Sequence, residues 1–149
     1  MTARYTVDQV ADALIHLSRE RGIEITNLKL QKLLYYAQAW YLANTDEPLF
    51  DADFEAWVHG PVVPQVFRRF REYRWNPITE TVDPPEASLA GYVEAILGSY
   101  GRLSATQLER LTHQEDPWKD ARKGYARDES SAEIISKESM RRYYGKKSA

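Results

Sequence analysis

Across positions 28–43 only Lys29, Gln31, Lys32 and Gln38 are polar. A helix at a protein surface carries one apolar stripe, whereas a helix that is apolar nearly all round has to be enclosed by other elements. This stretch therefore dictates a long central helix, opening near Thr26 or Asn27, with the rest of the chain wrapped around it. Tyr35, Tyr36, Trp40 and Tyr41 enlarge the area it buries, and their polar tips need partners or a water-facing edge. A chain of 149 residues is one domain by length, 1–149, and can close a core around such a helix.

The remaining elements follow from caps and periodicity. Thr6 and Gln9 have capping-box spacing, and Val7, Val10, Ala11, Leu14 and Leu17 recur at helical spacing up to a C-cap at Gly22. Positions 49–50 and 54–58 are short apolar runs around Asp51, Ala52 and Asp53, which predicts a small hairpin. Gly60 and Pro61 then mark a tight corner, and Pro64 suits the first position of a helix over 64–74. Positions 76–88 hold three prolines and several acids and read as a loop. Leu89, Tyr92, Val93, Ile96 and Leu97 make another amphipathic helix ending at Gly98 or Gly101, and Ser104 with Gln107 starts the next. Asp116 and Pro117 read as N-cap and first position of a short helix ending at Gly124. Ser130 and Glu133 have the same capping-box spacing ahead of a final helix marked by Met140, Tyr143 and Tyr144, with 145–149 as a polar tail. The expected fold class is mainly α: a single compact helical domain of about six or seven helices with one small β-hairpin.

Twenty basic against 22 acidic side chains give a formal charge of −2, which argues against a dedicated nucleic-acid binder. There is no cysteine, so disulfides, thiolate catalysis and Cys-based zinc sites are excluded. The opening residues lack a basic-then-apolar signal, and no apolar run approaches membrane-spanning length, so a cytoplasmic protein with no membrane partner is expected. No GxSxG, Walker-type GK[ST] or GxGxxG pattern occurs. His16, His59 and His113 show no paired metal-ligand spacing; a centre built from His59, His113 and Glu115 or Asp116 would need distant positions to converge. The expectation is a binding module without metal, cofactor or catalytic residues.

Candidate contact residues fall in two places. Trp57 and His59, at the corner made with Gly60 and Pro61, are either a packing and hydrogen-bonding device or the aromatic rim of a partner-binding surface. Arg68, Arg69, Arg71 and Arg74 crowd one helix whose inward side is supplied by Val66, Phe67 and Phe70. They read either as a solvated face or as an outward-pointing contact surface for acidic groups. Asp116 and Trp118 divide similarly between cap and core plug on one hand and contact on the other. Lys137, Arg141, Arg142, Lys146 and Lys147, interleaved with Tyr143 and Tyr144, suit the end of a helix dipole and also keep nucleic-acid contact as a minor reading.

Taken in order, ITNLKLQKLLYYAQAWYLA at 25–43, PLF at 48–50, FEAWVHGPVVPQVFRRF at 54–70 and LTHQEDPW at 111–118 resemble the SocA-like antitoxin or Panacea domain family, whose members include phage-associated, GepA-like proteins. The resemblance runs from about Thr6 to Tyr144. It implies a bacterial or phage protein that binds and neutralises a cognate protein toxin encoded nearby, the toxins of this family being of many unrelated kinds. One member of the family hands its toxin to a bacterial protease as an adaptor, so a protease belongs among the implied partners. Regulation of its own operon through the two basic helices is the alternative outside protein binding.

Overall fold

The computed structural model describes residues 3–148. Among them seven α-helices follow in order: α1 Val7–Glu20, α2 Asn27–Thr45, α3 Pro64–Arg69, α4 Ala87–Tyr100, α5 Ala105–Gln114, α6 Asp116–Ala121 and α7 Lys137–Ser148. Three short strands, β1 Phe54–Trp57, β2 Gly60–Val62 and β3 Ile134–Ile135, form one antiparallel sheet in the order β2-β1-β3. The fold is mainly α, as the sequence predicts.

α2 is the axis. Leu30, Leu33, Leu34 and Leu42, its first two tyrosines and its central alanines are buried, and α1, α4, α5 and α7 pack round it, α7 most extensively. Its polar residues from Asn27 to Gln38 are buried too, and Lys29, Gln31 and Gln38 reach backbone groups that no helix or strand satisfies. Gln38 donates through Nε2 to the Phe50 carbonyl and accepts from the Leu49 N–H, both at 2.7 Å. Gln31 accepts from the Val63 N–H at 2.9 Å, and Lys29 Nζ donates to the Gly101 carbonyl at 2.6 Å. The polar interruptions in the helix are thus clamps for the segments that cross it.

Local signals acted as expected at several ends. Thr6–Gln9 and Ser104–Gln107 both close complete capping boxes, and Thr26 caps α2. Gly22 follows α1 with φ 71°, the left-handed conformation that glycine adopts without strain.

Four details differ. The 49–50 run does not pair with β1, because Gln38 has already taken the Leu49 N–H and the Phe50 carbonyl; the ladder partners of β1 are β2 and β3. The helix expected over 64–74 stops at Arg69, and a 3-10 turn, Arg71–Tyr73, follows. Asp116 is the first residue of α6 rather than its cap; Glu115 holds that place without a side-chain cap bond. Ser130 caps nothing. Glu133 instead gives its carbonyl to the Ala56 N–H at 2.8 Å beside β3, and Ser136 accepts from the Ser139 N–H at 3.0 Å to open α7. That helix runs on through the polar stretch to Ser148, and Ala149 lies outside the described residues.

Candidate functional site

The corner is a two-residue turn. Val58 and His59 join β1 to β2, with Trp57 facing Gly60 across the ladder. Gly60 has φ 120°, and a Cβ there would lie 3.2 Å from Thr112 Oγ1 and 3.6 Å from Lys32 Nζ. Both backbone conformation and the close approach of α5 and α2 therefore require glycine. Pro61 is buried on β2, and Pro64 begins α3.

Lys32 lies beneath this corner at 1% exposure, with the Leu28 carbonyl at 3.5 Å as its hydrogen-bond acceptor and no described carboxylate in ion-pair range. Burial pulls its pKa down to about 8, against the opposing pull of the Glu109 carboxylate. Nearby, burial also holds His113 below its ordinary value, with Glu109 opposing, and its Nε2 has no partner among the described residues.

The two most distinctive motifs converge here. The Trp118 ring stacks on His113 with centroids 3.9 Å apart, and its Nε1–H donates to the Trp57 carbonyl at 2.9 Å. One turn later Arg122, also buried, donates to the Ala56 carbonyl at 2.8 Å and sits over the Trp118 ring. Its other nitrogen donates to the carbonyls of Ala126, Arg127 and Glu129. α6 therefore fixes β1 on one side and the 126–129 loop on the other. Pro117 is buried, while Asp116 is exposed and 3.9 Å from Lys119. The packing side of the Trp118 reading is what the structure contains.

What this framework holds open is a groove of about 550 Å³, lined by Leu28, Trp57, Val58, Val62 and Phe67 on one side and by 130–132 on the other, with Glu55 and His59 also bordering it. Trp57 is half-buried: its ring meets Phe67 edge-to-face at 5.1 Å, and its Nε1–H donates to Glu55 at 2.9 Å. His59 is exposed, with Nδ1 3.3 Å from Glu109. Neither the 130–132 wall nor Arg122 behind it was marked out by sequence reasoning. A mid-chain arginine in a polar run carries no signal that it will be buried against backbone carbonyls.

The arginines separate. Arg69 turns inward on the α1 side, 3.1 Å from Asp8, 2.7 Å from Asp12 and 2.6 Å from Glu80, and lies over the Phe70 ring. Arg68, Arg71 and Arg74 are exposed and pair with no described carboxylate. The expectation that all four point outward holds for three.

A second buried polar cluster lies one turn further along α2 from Lys32. Glu115 accepts from the hydroxyls of Tyr36 at 2.6 Å and Tyr144 at 2.8 Å, and the Tyr35 hydroxyl lies 3.3 Å from that of Tyr144. Burial raises the Glu115 pKa, the two tyrosine hydrogen bonds opposing it. Trp40 Nε1–H donates to Tyr100 at 2.7 Å, so the tips of Tyr35, Tyr36 and Trp40 find internal partners. Glu115 thus faces tyrosines, His113 faces Trp118 and His59 faces Glu109, and no group of three or more His, Asp or Glu fit to hold a metal ion occurs among the described residues. No helix among them is long and apolar enough to cross a membrane.

The profile described as antitoxin SocA-like, Panacea domain matches residues 30–119, a span that takes in most of α2, the corner and the start of α6. Antitoxin SocA of Caulobacter vibrioides (strain NA1000 / CB15N) is 36% identical over 124 residues, covering 73% of this chain. The chain spans 66% of the length of that relative. No solved structure matches it. With the profile covering more than half of its length, the chain belongs to the antitoxin SocA-like, Panacea domain family.

Proposed function

We propose that this protein is an antitoxin that neutralises a cognate protein toxin by direct, stoichiometric contact, without catalysis. Family membership supports the antitoxin role. The observation that carries the contact reading is the groove beside Trp57: an aromatic-sided, largely apolar hollow whose borders are fixed by buried hydrogen bonds before any partner arrives. Preformed surfaces of this kind lose little conformational freedom on binding, which favours affinity. Trp57 and His59 border the toxin's seat, and Arg68, Arg71 and Arg74 extend it along α3 and the turn that follows. Arg69 contributes by holding α3 against α1. Neutralisation by contact puts both proteins in one compartment, the cytoplasm.

The test is co-expression with the product of the adjacent reading frame, followed by titration of the purified pair. Growth is expected to recover, and toxin activity to disappear near molar equivalence. Persistent arrest with both proteins soluble overturns the antitoxin reading; relief by far less than one equivalent overturns the stoichiometric one.

A further inference from the structure

Three features of the 71–75 turn have no role in holding the fold together. Arg74 adopts φ 56°, ψ −119°, a region that residues with side chains seldom occupy. Trp75, which follows it, is 76% exposed, against 49% for Ile134, the next most exposed large hydrophobic residue described. Arg68, Arg71 and Arg74, within seven positions of it in sequence, are exposed and have no described carboxylate partner, although Arg69 among them has three. The base of the turn is nonetheless anchored: Tyr73 packs on Phe70 with ring centroids 6.3 Å apart, the Asn76 N–H returns to the Tyr73 carbonyl at 2.9 Å, and the Ile78 N–H bonds the Ile25 carbonyl at 2.8 Å. A turn that only had to close would do so with glycine at 74 and a polar residue at 75.

We propose that this turn is a second docking element, resting on the antitoxin reading above: Trp75 enters an apolar pocket on an acidic face of the toxin, and Arg68, Arg71 and Arg74 pair with the carboxylates around that pocket. Charge complementarity selects the occupant. Three guanidiniums without acids attract acids from outside, and their planar forks match carboxylates two bonds at a time. An exposed tryptophan in the same short segment as three exposed arginines has the composition of an interface hot spot. The same groups would also suit single-stranded nucleic acid, but a chain of formal charge −2 lacks the general attraction for a polyanion that such binding uses.

The experiment measures calorimetric affinity of the purified chain for the purified product of the adjacent reading frame. Variants are Trp75→Ala, the double change Arg71→Glu with Arg74→Glu, and Arg102→Glu as an exposed control on another segment. A fluorescent oligothymidylate serves as the second probe. Trp75→Ala and the double variant are expected to melt as the parent does and to bind the toxin about 30-fold or more weakly, while Arg102→Glu binds normally. Added salt is expected to weaken the parent and leave the double variant nearly unaffected. Toxin affinities within about threefold of the parent overturn the inference, as does loss of oligothymidylate binding with toxin binding intact. If the parent itself fails to bind the toxin, the antitoxin reading falls instead.

Discussion

The groove and the 71–75 turn are neighbours in sequence, joined by α3, yet they are built in opposite ways. The main borders of the groove are tied to the interior: β1 through Trp118 and Arg122, the 130–132 wall through the preceding 126–129 loop that Arg122 holds, and Phe67 through its carbonyl, which accepts from Asn27 at 2.9 Å. The turn is anchored at its base, and no hydrogen bond, ion pair or ring contact ties the side chains of Arg71, Arg74 and Trp75 to the described interior. A surface of the first kind cannot be altered without disturbing the fold, whereas one of the second kind can be altered with no effect except on binding. Measurements of stability and of toxin affinity should therefore move together at the groove and separately at the turn.

The hardest test of this contrast is Trp118→Ala. The change empties a buried ring site, removes the donor to the Trp57 carbonyl and strips the stack from His113, and an expected loss of about 3–5 kcal/mol should appear in chemical denaturation. A loss below about 1 kcal/mol would mean that the groove is not tied to the interior as described.

Lys32→Met sharpens the same side in the opposite direction. The folded ammonium releases its proton more readily than the unfolded one, so its contribution is fully favourable above the ordinary value of 10.5 and is lost as pH falls through about 8. At neutral pH the buried charge costs on the order of 3 kcal/mol, and methionine should recover about 1–3 kcal/mol of it. Wild-type stability should also rise between pH 8 and 10.5 relative to the variant, a difference that pH-dependent denaturation curves will show or refute.

Trp57→Ala comes next. The half-buried ring should cost about 1–2 kcal/mol, together with a clear loss of toxin affinity. Unchanged affinity in a folded variant would remove the groove from the interface. The smallest effect belongs to the turn. Arg74→Gly relieves the left-handed backbone but adds glycine's unfolded-state entropy, for a net gain of about 0.5–1 kcal/mol, while affinity for the toxin falls. A variant that is destabilised by thermal melting would show that the turn, too, serves the interior.

The central helix, three N-caps and the turn at Gly60 were legible in the sequence because each is announced by residues a few positions away; the crowding of Gly60 by Thr112 and Lys32 was not. The failures share a different cause. Acids close in sequence, Glu72 and Glu55, are the natural candidates to neutralise the arginines, yet those that reach Arg69 are Asp8, Asp12 and Glu80, brought in by α1 and the proline-rich loop. The 49–50 run has the composition of a strand but loses its backbone groups to one buried glutamine from α2. Of the candidate contact residues, Trp57 and His59 border the groove, which could be inferred only as an aromatic corner. Trp75 had no periodicity or motif to announce it, and on the opposite wall the spacing of Ser130 and Glu133 pointed to a helix cap instead.

The pairing of α7 with α2 has a consequence for the life of each molecule on the ribosome. The hydroxyl of Tyr144 meets that of Tyr35, 109 positions earlier. At elongation speeds of about 5–20 residues per second, α2 waits roughly 5–20 s for the helix that covers its tyrosine face. During that interval the nascent chain presents its most apolar segment to chaperones and proteases. The supply of finished protein therefore trails translation by seconds, a delay set by chain topology rather than by the strength of any contact.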